Sequence, residues 1–285
     1  MVLDLIKAAI LGTVQGITEF LPVSSTAHLI LFEELLNVDQ DKYGLPFDAA
    51  LHLGTLVSVL WFFGKRWVRL AQGGFRVLRE RSLADDDGRL AWLLVIGTMP
   101  AAVIGLALED IAEDTFRSVV LVASMLIAFS FVFILAEAVG KRQRTMKDLT
   151  LKDAVIVGFA QALALVPGVS RSGATISAGL FRDVDRREAA SFAFLLSAPI
   201  IAGAGLKQMV DVTGEFADGR LGAEDAAFFA VGFVFAAVVG YAAIKFLLQF
   251  LSNHSLNVFA YYRICLGLLV FAALGWNLIA TTMLV

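Results

Sequence analysis

Two short stretches of this sequence combine residue types that do chemistry: GTVQGITEFLPVSSTAH at 12–28 and GFAQALALVPGVSRSGAT at 158–175. In the first, Gln15 and Glu19 stand four apart and share one face of a helix, so both can address a single polar site. An ionised carboxylate at bilayer depth costs roughly 3 kcal/mol on insertion scales, so Glu19 demands a partner, a metal or water. Pro22, Ser24, Ser25, Thr26 and His28 follow, bringing three hydroxyls and an imidazole into one short segment. For Ser24 and Thr26, ligand binding and satisfaction of backbone groups freed by a broken helix are equal readings. In the second stretch Gly168 permits a sharp turn, and Ser170, Arg171, Ser172, Gly173 and Thr175 then occupy the start of a half-helix. Exposed N–H groups at a helix start, with a guanidinium beside them, make an anion site. A pocket joining the two clusters would hold carboxylate, imidazole, hydroxyls, guanidinium and free amides, the set that a phosphate ester or anhydride requires. Glu19, with Gln15 as a candidate second ligand, offers oxygens of the kind that Mg2+ or Ca2+ takes. The nucleophile on this reading is Ser25, His28 or water, with Ser25 favoured and His28 expected to activate it, since a hydroxyl and an imidazole three residues apart at a hairpin turn can come within hydrogen-bond reach.

The elements that must position these clusters follow from composition. The chain has 285 residues, 59 % hydrophobic and 17 % charged, with a mean hydropathy of +0.79. No solvated soluble domain sustains that balance, so the chain reads as an integral membrane protein surrounded by lipid, with no nucleic-acid partner. Apolar runs at about 46–64, 90–109, 118–139, 188–210, 226–250 and 258–283 predict six spanning helices. Regions 3–36 and 154–181 are apolar too, but broken at Pro22 to Ser25 and at Pro167 to Arg171. Such breaks survive at membrane depth only where protein or a water-filled cavity covers the freed backbone groups.

Charge sets the orientation. The basic loops 65–89 and 141–152, and the stretch Arg182, Arg186 and Arg187, are expected on the cytoplasmic side, with 110–117 and 211–225 outside. Region 154–181 then enters and leaves on one side, and 3–36 does the same from the opposite face. An offset of 146 aligns Gly12 with Gly158, Gln15 with Gln161, Val23 with Val169, Ser24 with Ser170 and Thr26 with Ser172. The expected fold is an all-α polytopic membrane protein of six spanning helices plus two re-entrant helical hairpins. They form an inverted-topology repeat within one membrane domain over 1–285, with units of about 1–140 and 154–285.

The remaining polar residues read more plainly. Asp48 and His52 are expected as an interface-exposed pair, with lining of the site mouth as the alternative, Lys207, Lys245 and Arg263 as snorkelling anchors near helix ends, and the single Cys265 as a packed core residue. Asp4, Gln15 and Glu19 interrupt the N-terminal apolar stretch that a signal peptide would need.

The two clusters resemble the signatures of the bacitracin-resistance type of undecaprenyl-diphosphate phosphatases. The first signature, a Glu or Gln four residues before Glu and then Pro-Val-Ser-Ser-Thr-x-His, is matched by Gln15, Glu19, Pro22, Val23, Ser24, Ser25, Thr26 and His28; the second runs from Pro167 to Thr175. The resemblance covers essentially the whole chain. It implies hydrolysis of the C55 isoprenoid diphosphate to the monophosphate, a divalent cation, and an active site open to the periplasmic side of the bacterial inner membrane. It further implies Glu19, Ser25, His28 and Arg171 as catalytic residues, with Gln15, Ser170, Ser172 and Thr175 as binding or metal-orienting neighbours; Ser24, Thr26 and Gly173 join these as candidate substrate-binding residues, and Glu19, with Gln15 as a second candidate, as the metal ligand. Many members carry Glu at the place of Gln15, and a neutral amide offers a metal less charge. A homodimer is a candidate assembly. The competing function is a transporter of a lipid phosphate or other anion, because inverted repeats with midplane hairpins are also a transporter architecture.

Overall fold

The structure, a computed structural model, describes residues 2–39, 42–108 and 118–283. Within them lie eleven α-helices and no β-strand. They are α1 Val2–Phe20, α2 Ser25–Leu35, α3 Gly44–Phe62, α4 Gly64–Glu80, α5 Asp86–Ala107, α6 Val119–Val139, α7 Leu151–Leu163, α8 Arg171–Phe181, α9 Arg186–Ala217, α10 Ala223–Phe250 and α11 Asn257–Met283. Among the described residues α5, α6, α9, α10 and α11 are long and apolar enough to cross a membrane, and the number is six if the bent pair α3–α4 contributes one span. The chain is a multi-pass membrane protein.

Both broken regions fold back as hairpins. Helices α2 and α8 have 11 residues each, about 16 Å at 1.5 Å per residue, half of a hydrocarbon core. Each packs against the helix that precedes it. At the base of the second hairpin the Asp153 carboxylate, in the first turn of α7, accepts from Arg182 Nε at 2.6 Å, just past the end of α8, and from Arg144 Nη2 at 2.7 Å. The two ends of 154–181 therefore meet on one side. In the first hairpin Lys7 Nζ near the start donates to the Asn37 carbonyl near the finish, at 3.2 Å.

The breaks are built alike. Ser24 (φ 75°, ψ 99°) and Ser170 (φ 73°, ψ 111°) are non-glycine residues in a left-handed backbone region, and each side chain caps the half-helix that follows. The shift of 146 positions that aligns the motifs carries the bounds of α2 onto those of α8. First arms then pack across the halves of the chain: α1 lies on α10, and α7 on α5. A Cβ on Gly12 would strike the Gly232 carbonyl, and one on Gly158 the Gly97 carbonyl. Small residues permit the close approach on which helix association in lipid depends, because lipid is as apolar as the core.

Three expectations change. The basic region 65–89 is mostly helix: at Phe63 the chain turns by 80° into α4, whose Lys65, Arg66, Arg69, Arg76 and Arg79 are interleaved with exposed Val68, Phe75 and Leu78. That interleaving is the pattern of a helix lying in the interface, and it satisfies its own N–H groups as a loop would not. Helix α9 runs on to Ala217, which shortens the expected 211–225 connection to 218–222. Cys265 is exposed, since an apolar run looks the same whether it faces core or lipid. The 110–117 loop lies outside the described residues.

Candidate active site

The hairpin tips meet end to end. Ser172 Oγ of the second hairpin donates to the Leu21 carbonyl of the first at 3.2 Å, and the Arg171 guanidinium forms an ion pair with the Glu19 carboxylate. Both partners are largely withdrawn from solvent, with side chains 18 % and 3 % exposed, so each charge depends on the other. Glu19 Oε2 also accepts from Ser25 Oγ at 2.8 Å and from Gln15 Nε2 at 3.0 Å, and His52 Nε2 stands 3.6 Å away. The four-residue spacing of Gln15 and Glu19 thus does what helix geometry predicts, and both are buried.

A cavity of about 240 Å3 opens beside this pair, with Glu19, Ser24, Ser25, Thr26, His52, Ser170 and Arg171 in its wall and Gln208 of α9 at its edge. The N-termini of α2 and α8 both face it. The positive ends of two helix dipoles and a guanidinium therefore border one cavity, an arrangement that suits a negatively charged ligand. Backbone demands absorb several of the candidate binding residues. Ser24 Oγ accepts from Ala27 N at 3.4 Å, and Ser170 Oγ from Gly173 N at 3.2 Å. Thr175 Oγ1 donates back to the Arg171 carbonyl at 2.7 Å. The Gly173 amide is thus committed to the cap, and the residue is glycine because a Cβ would run into the Phe133 ring.

His28 is buried, and both of its ring nitrogens are engaged: Nδ1 with the Ser24 carbonyl at 2.8 Å and Nε2 with the Tyr262 hydroxyl at 2.7 Å. The imidazole does not bond Ser25, whose hydroxyl turns to Glu19 instead.

Sequence reasoning misplaced two residues. His52 lines the cavity rather than the interface, and Arg263 is a fully buried cation rather than an anchor, whereas Lys207 and Lys245 are exposed as expected. Tyr262 and Gln208 were not singled out. The available signals were a lone charge inside the apolar run 258–283 and two polar residues one helical turn apart at Asp48 and His52. Gln15 Oε1 is buried without a hydrogen-bond partner beside the Glu19 carboxylate, so a hard cation finds one charged and one neutral oxygen here. Among the described residues no three His, Cys, Asp or Glu side chains form a metal-binding group, so phosphate oxygens and water would complete such a shell.

The model of the family described as bacitracin resistance protein BacA matches residues 8–269. An undecaprenyl-diphosphatase of Rubrobacter xylanophilus is 51 % identical over 273 residues, covering 95 % of this chain and 99 % of that protein. One from Desulforudis audaxviator is 46 % identical over 264 residues, with 93 % and 95 % covered. One from Corynebacterium diphtheriae is 45 % identical over 273 residues, with 96 % and 95 % covered.

Proposed function

This chain belongs to the family of bacitracin resistance protein BacA, and from that membership we propose that it is an undecaprenyl-diphosphate phosphatase. It hydrolyses the C55 isoprenoid diphosphate to the monophosphate and phosphate, which regenerates the lipid carrier of cell-wall precursors and, on overproduction, confers bacitracin resistance. The observation that carries the reading is the Ser25–Glu19–Arg171 chain at the meeting point of two helix N-termini.

Glu19, Ser25, His28 and Arg171 are the reacting groups. The terminal phosphate docks on the first-turn amides of α2 and α8, and its oxygens draw the Arg171 fork away from Glu19. Glu19 is then free to take the Ser25 proton across the 2.8 Å hydrogen bond. Ser25 Oγ attacks phosphorus, the bridging P–O bond breaks, and the lipid monophosphate leaves with the electron pair. Water then cleaves the phosphoserine. Its proton passes to His28 Nε2, the accepting ring nitrogen, as the Tyr262 hydroxyl turns aside, Glu19 returns its proton to the Ser25 oxygen, and His28 releases its extra proton to water as phosphate departs. Gln15 Oε1 and Glu19 would hold Mg2+ or Ca2+, which when bound neutralises phosphate charge.

The site belongs to the bacterial cytoplasmic membrane and opens to the periplasm. The basic face of α4 and the Arg182 to Arg187 stretch support this orientation. Phosphate release by the detergent-solubilised protein tests the function, since a transporter needs a sealed bilayer and an enzyme does not. Rapid quenching with labelled terminal phosphate tests the nucleophile: acid-stable label on Ser25 is expected. Base-stable, acid-labile label would move the attack to His28, and no trapped label would leave it to water.

A further inference from the structure

Helix α11 carries two adjacent polar residues, each of which reaches a different hairpin. Tyr262 meets the first. The Nδ1 of His28 lies 2.8 Å from the Ser24 carbonyl, an atom that only accepts, so Nδ1 carries the ring proton. In the neutral ring Nε2 is then an acceptor, and the Tyr262 hydroxyl donates to it at 2.7 Å. The Ser24 carbonyl therefore sets the tautomer, and Tyr262, whose ring lies nearly parallel to the imidazole at 12° with centroids 5.7 Å apart, holds the plane of the imidazole from α11.

Arg263 meets the second hairpin. It is 0 % exposed, although a guanidinium inside an apolar helix is costly, and among the described residues it pairs with no carboxylate within 4.0 Å. Its Nη2 donates to the Gly168 carbonyl at 2.8 Å and to Met125 O at 3.3 Å, and its Nε to Ser130 Oγ at 3.2 Å. The guanidinium carbon stands 4.8 Å from the centroid of Phe133, the ring that fills the space left by Gly173. Gly168 (φ +93°) is the turn of the broken helix, two residues before the Ser170 cap, and its carbonyl has lost its helical partner. Arg263 supplies the missing donor and places a positive charge directly behind the wall of the anion site.

We propose that Tyr262 and Arg263 are a paired positioning device. Tyr262 holds the His28 ring and its accepting Nε2 in place, and Arg263 holds the Gly168 turn so that Ser170 and Arg171 face the substrate. A single helix thereby sets the register between two hairpins that enter from opposite faces. The functional part of this inference rests on the phosphatase reading.

The test uses the full-length protein in detergent and compares Tyr262→Phe, Arg263→Lys and Arg263→Met with Tyr261→Phe, a control at an exposed neighbour. Turnover of the isoprenoid diphosphate, calorimetric affinity for inorganic pyrophosphate and melting temperature are measured on each. Tyr262→Phe should lower kcat about 10-fold and leave KM and pyrophosphate affinity within about twofold of the parent. Arg263→Met should weaken pyrophosphate binding and raise KM, each by about 10-fold or more, and Arg263→Lys, which keeps one donor for the Gly168 carbonyl, should recover part of that loss. The control should match the parent. Wild-type kcat in Tyr262→Phe overturns the proposal, as do Arg263 losses that vanish once rates and affinities are normalised to the folded fraction. A parent protein without hydrolysis defeats the phosphatase reading alone; the pyrophosphate affinities then decide, and Arg263 variants that bind like the parent overturn the positioning role. A parent that binds no pyrophosphate overturns both.

Discussion

Removing either member of the Glu19–Arg171 pair should cost more stability than removing both. Each side chain leaves the other as an uncompensated charge in a nearly dry site, a situation that costs about 3–5 kcal/mol when one partner of a buried pair is deleted. The geometry orders the two single changes. Without Arg171, Glu19 still accepts from Gln15 and Ser25, so Arg171→Met falls near the lower end, about 3 kcal/mol. With Glu19→Gln, Arg171 keeps only a neutral amide and a long contact to the Ser197 carbonyl at 3.5 Å, which places that variant near the upper end, about 5 kcal/mol. The double variant buries no charge and should lie within about 1 kcal/mol of the parent, giving a coupling of several kcal/mol. Phosphate release moves differently: all three variants lose turnover by about 100-fold or more, because Glu19→Gln removes proton acceptance, Arg171→Met removes phosphate anchoring, and the double variant removes both. Denaturant unfolding of the detergent-solubilised proteins, run beside a phosphate-release assay, measures both quantities. Single variants that each cost under about 1 kcal/mol and add in the double would refute the argument that the pair is mutually compensated.

Arg171→Lys should lose about 100-fold in kcat/KM, because lysine keeps the charge without the planar fork; an unchanged KM would remove the bidentate grip on phosphate. Gln15→Glu should tighten divalent-cation binding, measured as the EDTA or Mg2+ concentration at half activity, and an unmoved midpoint would take residue 15 out of the metal shell. His52→Ala, which loses a contact 3.6 Å from Glu19, should cost about 10-fold in kcat/KM, far less than Glu19→Gln, and equal losses in phosphate release would make His52 a reacting group. Single cysteines at Arg79 and Arg187 should be labelled from the same membrane face, with Gly219 labelled from the opposite one; labelling of Arg187 from the face of Gly219 would undo the re-entrant second hairpin.

What the sequence determined by itself is local. Each cluster could be read because its parts lie within one or two helical turns. A Pro or Gly breaks the helix, a serine caps the next half-helix, and Glu19 sits one turn past Gln15, so chain connectivity alone brings those groups together. The two hairpins were legible too, since charge at the ends of an apolar region says which side each end must occupy. The α4 helix was lost to the same signal: its basic residues were read for orientation, and their helical spacing went uncounted.

What only the tertiary structure decided is every contact between residues far apart in the chain. Glu19 finds Arg171, His28 finds Tyr262 and the Gly168 carbonyl finds Arg263 only after α1 has packed on α10 and α11 on α6. Helix packing in lipid gains little from apolar surface and is decided by close fit at small residues and by polar pairs. A hydropathy pattern therefore shows which segments enter the membrane, while which side chains meet there depends on shape that the pattern does not carry.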